Sequence, residues 1–138
     1  MELKIIEVEK LTKALDAIFM EQTLAAGLPQ VEDQVIGIAA MDGEIIAGGI
    51  VAKQTYESMY INLLAVDEKY RGQRLGSQLL HAIEEIAQER EMIHLTLTTK
   101  SYQALDFYQK NGYQIFGELA DMPMRGVTKY YLVKRLRA

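Results

Sequence analysis

From Tyr60 to Gln88 the hydrophobic and polar positions pass from one rhythm to another (YINLLAVDEKYRGQRLGSQLLHAIEEIAQ). Tyr60, Ile61, Leu63, Leu64 and Val66 form an aromatic and β-branched run as long as a buried strand. Leu75, Leu79, Leu80, Ile83, Ile86 and Ala87 then recur at three-to-four spacing, with Gln78, His81, Glu84, Glu85 and Gln88 on the other side. That pattern predicts an amphipathic helix whose stripe packs on a core. Between the two lies a polar turn, residues 67–77, carrying Gly72 and Gly76 with the cations Lys69, Arg71 and Arg74. The first-turn N–H groups of such a helix lack intrahelical partners, and the helix dipole favours negative charge beside them. Arg71 to Ser77 therefore points to a phosphate-bearing ligand.

The flanking pattern supplies the rest of a sheet. Leu3, Ile5, Ile6 and Val8 alternate in part and predict a short strand. Leu11, Leu15, Ile18, Phe19 and Leu24 carry a helical stripe, with Gly27 as its stop and Pro29 beyond. Residues 34–40 and 44–52 read as strands joined through Met41-Asp42-Gly43, because Asp-Gly takes the positive φ of a tight hairpin. After the central helix, the alternating β-branched run at 92–99 implies a right-handed parallel strand–helix–strand unit. Ser101 is a candidate N-cap for a short helix over 102–110, ended by Asn111-Gly112. Residues 113–119 and 128–136 form a last strand pair. The predicted order, β-α-β-β-β-α-β-α-β-β, is a mixed α/β sheet, antiparallel in its first half with a parallel βαβ unit in the middle, and it reads as one domain over residues 1–138.

Composition narrows the chemistry. At 138 residues the chain is long enough to bury a core without staples. It has no cysteine and only His81 and His94 as imidazoles, so thiolate chemistry, disulfides and a histidine-rich metal site are all disfavoured, and no metal is expected. A net charge of −4 gives no broad basic footprint for nucleic acid. The longest uncharged apolar run, residues 45–52, is far too short for a bilayer, so the expectation is a cytoplasmic protein with no membrane partner. Arg125, Lys129, Lys134, Arg135 and Arg137 read as a solvated strand edge.

Familiar phosphate and nucleophile motifs are missing. Gly72-Gln73-Arg74-Leu75-Gly76-Ser77 is one residue short of a P-loop and lacks its lysine, and no Gly-x-Ser-x-Gly elbow or His-Glu-x-x-His occurs. Instead, LLAVDEKYRGQRLGSQLL followed by LTLTTKSYQALDFYQKNGYQIFG resembles the GNAT N-acetyltransferase superfamily. The first segment matches its acetyl-CoA strand and Arg/Gln-x-x-Gly-x-Gly/Ala loop. The second matches its A-x-x-FY-x-k-x-G-Y/F helix through Ala104, Phe107, Tyr108, Gly112 and Tyr113. Order and spacing agree over residues 35–136, and the Tyr-rich last strand is similar to that of short bacterial members.

The resemblance implies a GNAT-like sheet whose central strand and next parallel strand splay apart to admit pantetheine. It assigns main-chain contacts near Leu64, Ala65 and Val66, and the pyrophosphate to Arg71, Gly72, Gln73, Arg74, Leu75, Gly76 and Ser77. Ser101, Ala104 and Phe107 complete the cosubstrate site, and Tyr108 is the acid at the departing sulfur. It implies direct transfer of acetyl from acetyl-CoA to a primary amine, on a small molecule or a peptide, in a ternary complex, with dimerisation through the C-terminal strands also plausible in the family. Arg74 stands where the family's middle loop glycine sits, and Ser101 where many members have asparagine. Many members carry a carboxylate base on the central strand, but here the inward positions are Tyr60 and Asn62. Glu57, His94 or Asp121 acting through water are the alternatives, and none is assigned. A non-catalytic acyl-CoA-binding or regulatory module is the rival reading. The missing carboxylate and Arg74 favour it, and the retained Tyr108 opposes it.

Overall fold

The computed structural model describes residues 1–138 and divides them into two compact units, Met1–Glu32 and Asp33–Ala138. The first unit is a single helix, α1 (Val8–Ala25), and its flanks. Thr12 and Thr23 donate their hydroxyl protons to the carbonyls of Val8 and Phe19, a turn earlier, and Gly27 leaves the helix at φ +77°. The strand expected at Leu3 to Val8 is not there. Residues 1–7 lie outside any strand, Val8 already starts the helix, and Leu3 and Ile5 are fully exposed. Alternation specifies a strand only where a ladder completes it, and this unit contains no other strand.

The second unit is a six-stranded mixed sheet with two helices. Its strands are β1 (Gln34–Asp42), β2 (Ile45–Thr55), β3 (Ser58–Val66), β4 (His94–Lys100), β5 (Gln114–Ala120) and β6 (Thr128–Arg135). Its helices are α2 (Leu75–Glu89) and α3 (Leu105–Lys110), and a 3₁₀ turn, Glu68–Tyr70, follows β3. Spatial order is β1-β2-β3-β4-β6-β5, with β3 and β4 parallel and every other pair antiparallel. The β1–β2 hairpin turns at Gly43, φ +61°. β6 is interior and β5 forms the edge, so the C-terminal cations do not line a free strand as expected. Lys134 in particular is drawn inward to Glu84.

The core lies between α2 and one face of the sheet. Leu79, Leu80, Ile83 and Ala87 of α2 are buried against Ile50 and Ala52 of β2, Met59 and Ile61 of β3, Leu95 and Leu97 of β4, and Leu132 of β6. Burying each of the leucines, isoleucines and the methionine contributes about 1.5–3 kcal/mol, which fixes the register of the central strands. No helix is long and apolar enough to cross a membrane.

Two irregularities shape the middle of the sheet. Ala52 pairs with Ile61 but Val51 pairs with Leu63, leaving Asn62 as a one-residue bulge on β3. Beyond it β3 turns away from β4: the two are paired only at Ser58–Tyr60 with His94–Thr96. Gly48 permits the matching approach to β2, since a Cβ there would lie 2.8 Å from the Ala65 carbonyl oxygen and 3.1 Å from the Val66 Cα.

Candidate active site

The parting of β3 from β4 opens a cleft of about 180 Å³. Ile61 to Leu64 form one wall, Leu97 to Thr99 the other, and Gln103, Ala104 and Tyr108 close the end. Consecutive strand amides alternate sides, so half the polar backbone of β3 beyond the bulge faces this cleft without a ladder partner. Leu64 lines it. The Ala65 side chain instead faces the opposite side of the sheet, opposite Gly49, and offers only its backbone.

Tyr108 is the buried residue of α3, 8% exposed, with its ring edge-on to Phe107 (5.1 Å, 72°) and to Tyr113 (6.0 Å, 75°). Burial pushes its phenol above the ordinary tyrosine value, so the hydroxyl keeps its proton well into the alkaline range. α3 begins at Leu105 with Ala104 at its N-cap. The expected cap, Ser101, uses its hydroxyl otherwise: it accepts from the Thr128 N–H at 3.1 Å and ties the approach to α3 to the start of β6.

A second cleft, about 310 Å³, includes Val66 and Phe107 in its walls, residues close in sequence to Leu64 and Tyr108 of the first. Arg71, Gly72, Arg74, Leu75, Gly76 and Ser77 line it with Tyr70, whereas Gln73 and Ser101 are not among its walls. The loop is tightly held. The Asp67 N–H donates to Ala47 and the Asp67 carboxylate accepts from the Lys69 N–H, while Tyr70 donates to Asp42 Oδ2 at 2.7 Å. That hydrogen bond, with burial and nearby negative charge, raises the Tyr70 phenol above its usual value.

Gly72 at φ +84° and Arg74 at φ +61°, ψ +22° bend the loop onto the helix. Arg74 holds the left-handed conformation that explains why glycine suits this position. The first helical bond is Gln78 N–H to the Arg74 carbonyl, so the N–H groups of Leu75, Gly76 and Ser77 precede it and have no intrahelical partner. No acidic residue sits in that first turn. Gly76 also brings the loop against α3, because a Cβ there would touch the Phe107 ring at 3.4 Å. Unpartnered donors, two arginines and a dipole-positive helix end fit a pyrophosphate.

None of the groups weighed as a base lines either cleft. His94 Nε2 lies 3.2 Å from Arg135, Asp121 accepts from the Gly126 N–H, and Glu57 sits in the β2–β3 turn. Pattern reading placed Asn62 on the inward side of the strand but missed its bulge, which has no local marker, and it assigned Glu84 to the polar side of α2 although that residue is buried. Only the distant partners Tyr113 and Lys134 explain that burial.

A scan against known protein families matches residues 32–115 to the acetyltransferase (GNAT) domain. Blasticidin-S acetyltransferase of Streptomyces morookaense is 37% identical over 92 residues, which cover 66% of this chain and 67% of that protein. The crystal structure of an acetyltransferase from Bacillus cereus superposes with a TM-score of 0.87 at 28% identity, covering 99% of this chain and 98% of that one. A putative streptothricin acetyltransferase from Bacillus anthracis, solved with acetyl coenzyme A, gives a TM-score of 0.66 at 26% identity over 74% of this chain and 62% of that one. The chain belongs to the GNAT family of acetyl-CoA-dependent acetyltransferases.

Proposed function

We propose that the enzyme transfers acetyl from acetyl-CoA directly to a primary amine of a small molecule, with Tyr108 donating a hydrogen bond to the departing sulfur. The observation that carries this reading is the position of Tyr108 at the end of the cleft between β3 and β4, beside the cradle of residues 71–77. The pyrophosphate rests on the free N–H groups of Leu75 to Ser77 and on Arg71 and Arg74. Pantetheine runs along the unpaired side of β3 near Leu64 to Val66.

The neutral amine attacks the thioester carbonyl. A β3 N–H near Leu64 or Ala65 stabilises the developing oxyanion, and the C–S bond breaks as the sulfur takes up charge. A phenol is normally about 1.5 units less acidic than a thiol, and burial widens that gap. Tyr108 therefore stabilises the leaving thiolate as a hydrogen-bond donor more than by complete proton transfer. The amine reaches the site neutral or loses its proton to water, and the second proton, shed by nitrogen after attack, passes through water to the departing thiolate, so that amide and CoA thiol are the products.

Support for a small acceptor comes from the curated relative named for blasticidin S and the neighbour named for streptothricin. The test is release of CoA from acetyl-CoA across amine-bearing antibiotics, polyamines and N-terminal peptides. Tyr108→Phe should lower turnover by roughly 10- to 1000-fold while leaving acetyl-CoA affinity unchanged. Unchanged turnover in that variant would remove Tyr108 from the chemistry. A chain that binds acetyl-CoA but turns over no amine would instead be an acyl-CoA-binding module.

A further inference from the structure

α3 has six residues and no side-chain N-cap, too short to hold its own orientation in water. Its direction is set from its C-terminal end. The Asn111 side chain donates to the Phe107 carbonyl at 2.8 Å, and the Tyr113 N–H donates to the Tyr108 carbonyl at 3.0 Å. Lys134 reaches from β6 and donates to the Asn111 carbonyl at 3.0 Å and to Glu84 Oε2 at 3.1 Å. Gly112, at φ +92°, makes room for it: a Cβ there would meet the Lys134 Cε at 3.4 Å.

Glu84, 8% exposed on α2, is the hub, because the same Oε2 also accepts from the Tyr113 hydroxyl at 2.8 Å. Tyr113 is 2% exposed, pinned at its hydroxyl, and its ring meets the Tyr108 ring edge-on. The Tyr108 ring is thus held between Phe107 and a Tyr113 that cannot rotate away. We propose that Tyr113, anchored by Glu84 and Lys134, is a positioning residue that aims the Tyr108 hydroxyl at the sulfur of the cosubstrate. This inference rests on the reading of Tyr108 given above. A donor misplaced by about an ångström loses most of its effect on a leaving group, whereas a core contact of the same area tolerates that shift.

The test needs no acceptor. CoA and desulfo-CoA, in which hydrogen replaces the thiol group, differ only at the sulfur. At about pH 9.5 a substantial part of the thiol is ionised, and a hydrogen-bond donor beside it favours that form, while a buried phenol keeps its proton. Calorimetry on the intact chain should show CoA preferred over desulfo-CoA by about tenfold or more. That preference should vanish in Tyr108→Phe and in Tyr113→Phe, with desulfo-CoA affinity unchanged in both and no further loss in the double variant. Glu84→Gln keeps an acceptor for Tyr113 and should retain most of the preference, which guards against misreading a folding defect.

The failures are distinct. Preference unchanged in Tyr108→Phe overturns the sulfur contact itself, and Tyr113 then has nothing to position. Preference lost in Tyr108→Phe but kept in Tyr113→Phe overturns the positioning role alone. Equal weakening of both ligands in Tyr113→Phe overturns it in favour of simple packing.

Discussion

Gly48→Ala perturbs a single methyl group at the point where β2 meets the diverging end of β3. The new Cβ would lie 2.8 Å from the Ala65 carbonyl oxygen, 3.1 Å from the Val66 Cα and 3.2 Å from a Val66 methyl. The first two are backbone atoms that cannot swing aside, so the β2–β3 ladder must move by several tenths of an ångström. Overpacking of this kind costs about 1–3 kcal/mol. For a chain of this size that is a fall in Tm of roughly 3 to 10 °C. Gly37→Ala, on the neighbouring strand, is the control: its Cβ meets nothing within 4 Å and its φ is ordinary, so the expected change is within about 0.5 kcal/mol. Urea unfolding of both variants measures the difference, and calorimetry with acetyl-CoA reads its effect on the site, because Val66 lines the cleft beside residues 71–77. Equal stability of the two variants would refute the claim that close approach at Gly48 shapes this end of the sheet.

Further outcomes follow from the same geometry. Arg71→Ala should weaken acetyl-CoA binding by roughly 10- to 100-fold, the value of a charge-assisted phosphate contact, and the loss should shrink as salt is added in calorimetry. Arg74→Gly relieves a left-handed residue by about 1 kcal/mol and loses a similar amount through unfolded-chain entropy, so urea midpoints should barely change. If only its backbone N–H serves the phosphates, acetyl-CoA affinity should survive that change as well. Stability should fall with alkali. Tyr113, raised by burial and by the Glu84 charge, and Tyr108, raised by burial, hold protons in the folded state that unfolded tyrosines release near pH 10. Their contribution is complete below that pH and declines as pH rises past it toward the folded values. A urea-midpoint series from about pH 8 to 11 should show the decline, with a shallower slope in Tyr113→Phe.

How much of this was legible in the sequence depends on the range over which each feature is decided. β3 and α2 follow from local periodicity, and the Gly72–Gly76 turn between them from residue type, so turn and core were readable. The hairpin turned at Asp42-Gly43 for the same reason. Features settled by partners far along the chain were not. Ser101 looks like a cap until Thr128 claims its hydroxyl, and Glu84 looks solvated until Tyr113 and Lys134 arrive from 29 and 50 residues away. Leu3 to Val8 has a strand's alternation without a ladder. The bulge at Asn62 changes register by one residue and leaves the apolar pattern on either side intact, so composition could not reveal it.

The short β3–β4 ladder gives the sheet an edge in its interior. Amides beyond Asn62 that face β4 sit mid-sheet by strand order, yet should exchange hydrogen as fast as those of an outer strand. Saturating CoA should slow them selectively, since a thin extended molecule fits between two diverging strands where another polypeptide cannot. Ordinary exposed edges invite other chains to pair and must be guarded against it. Here β4, diverging yet still the neighbour of β3, limits the room in which a second chain could pair along the opening.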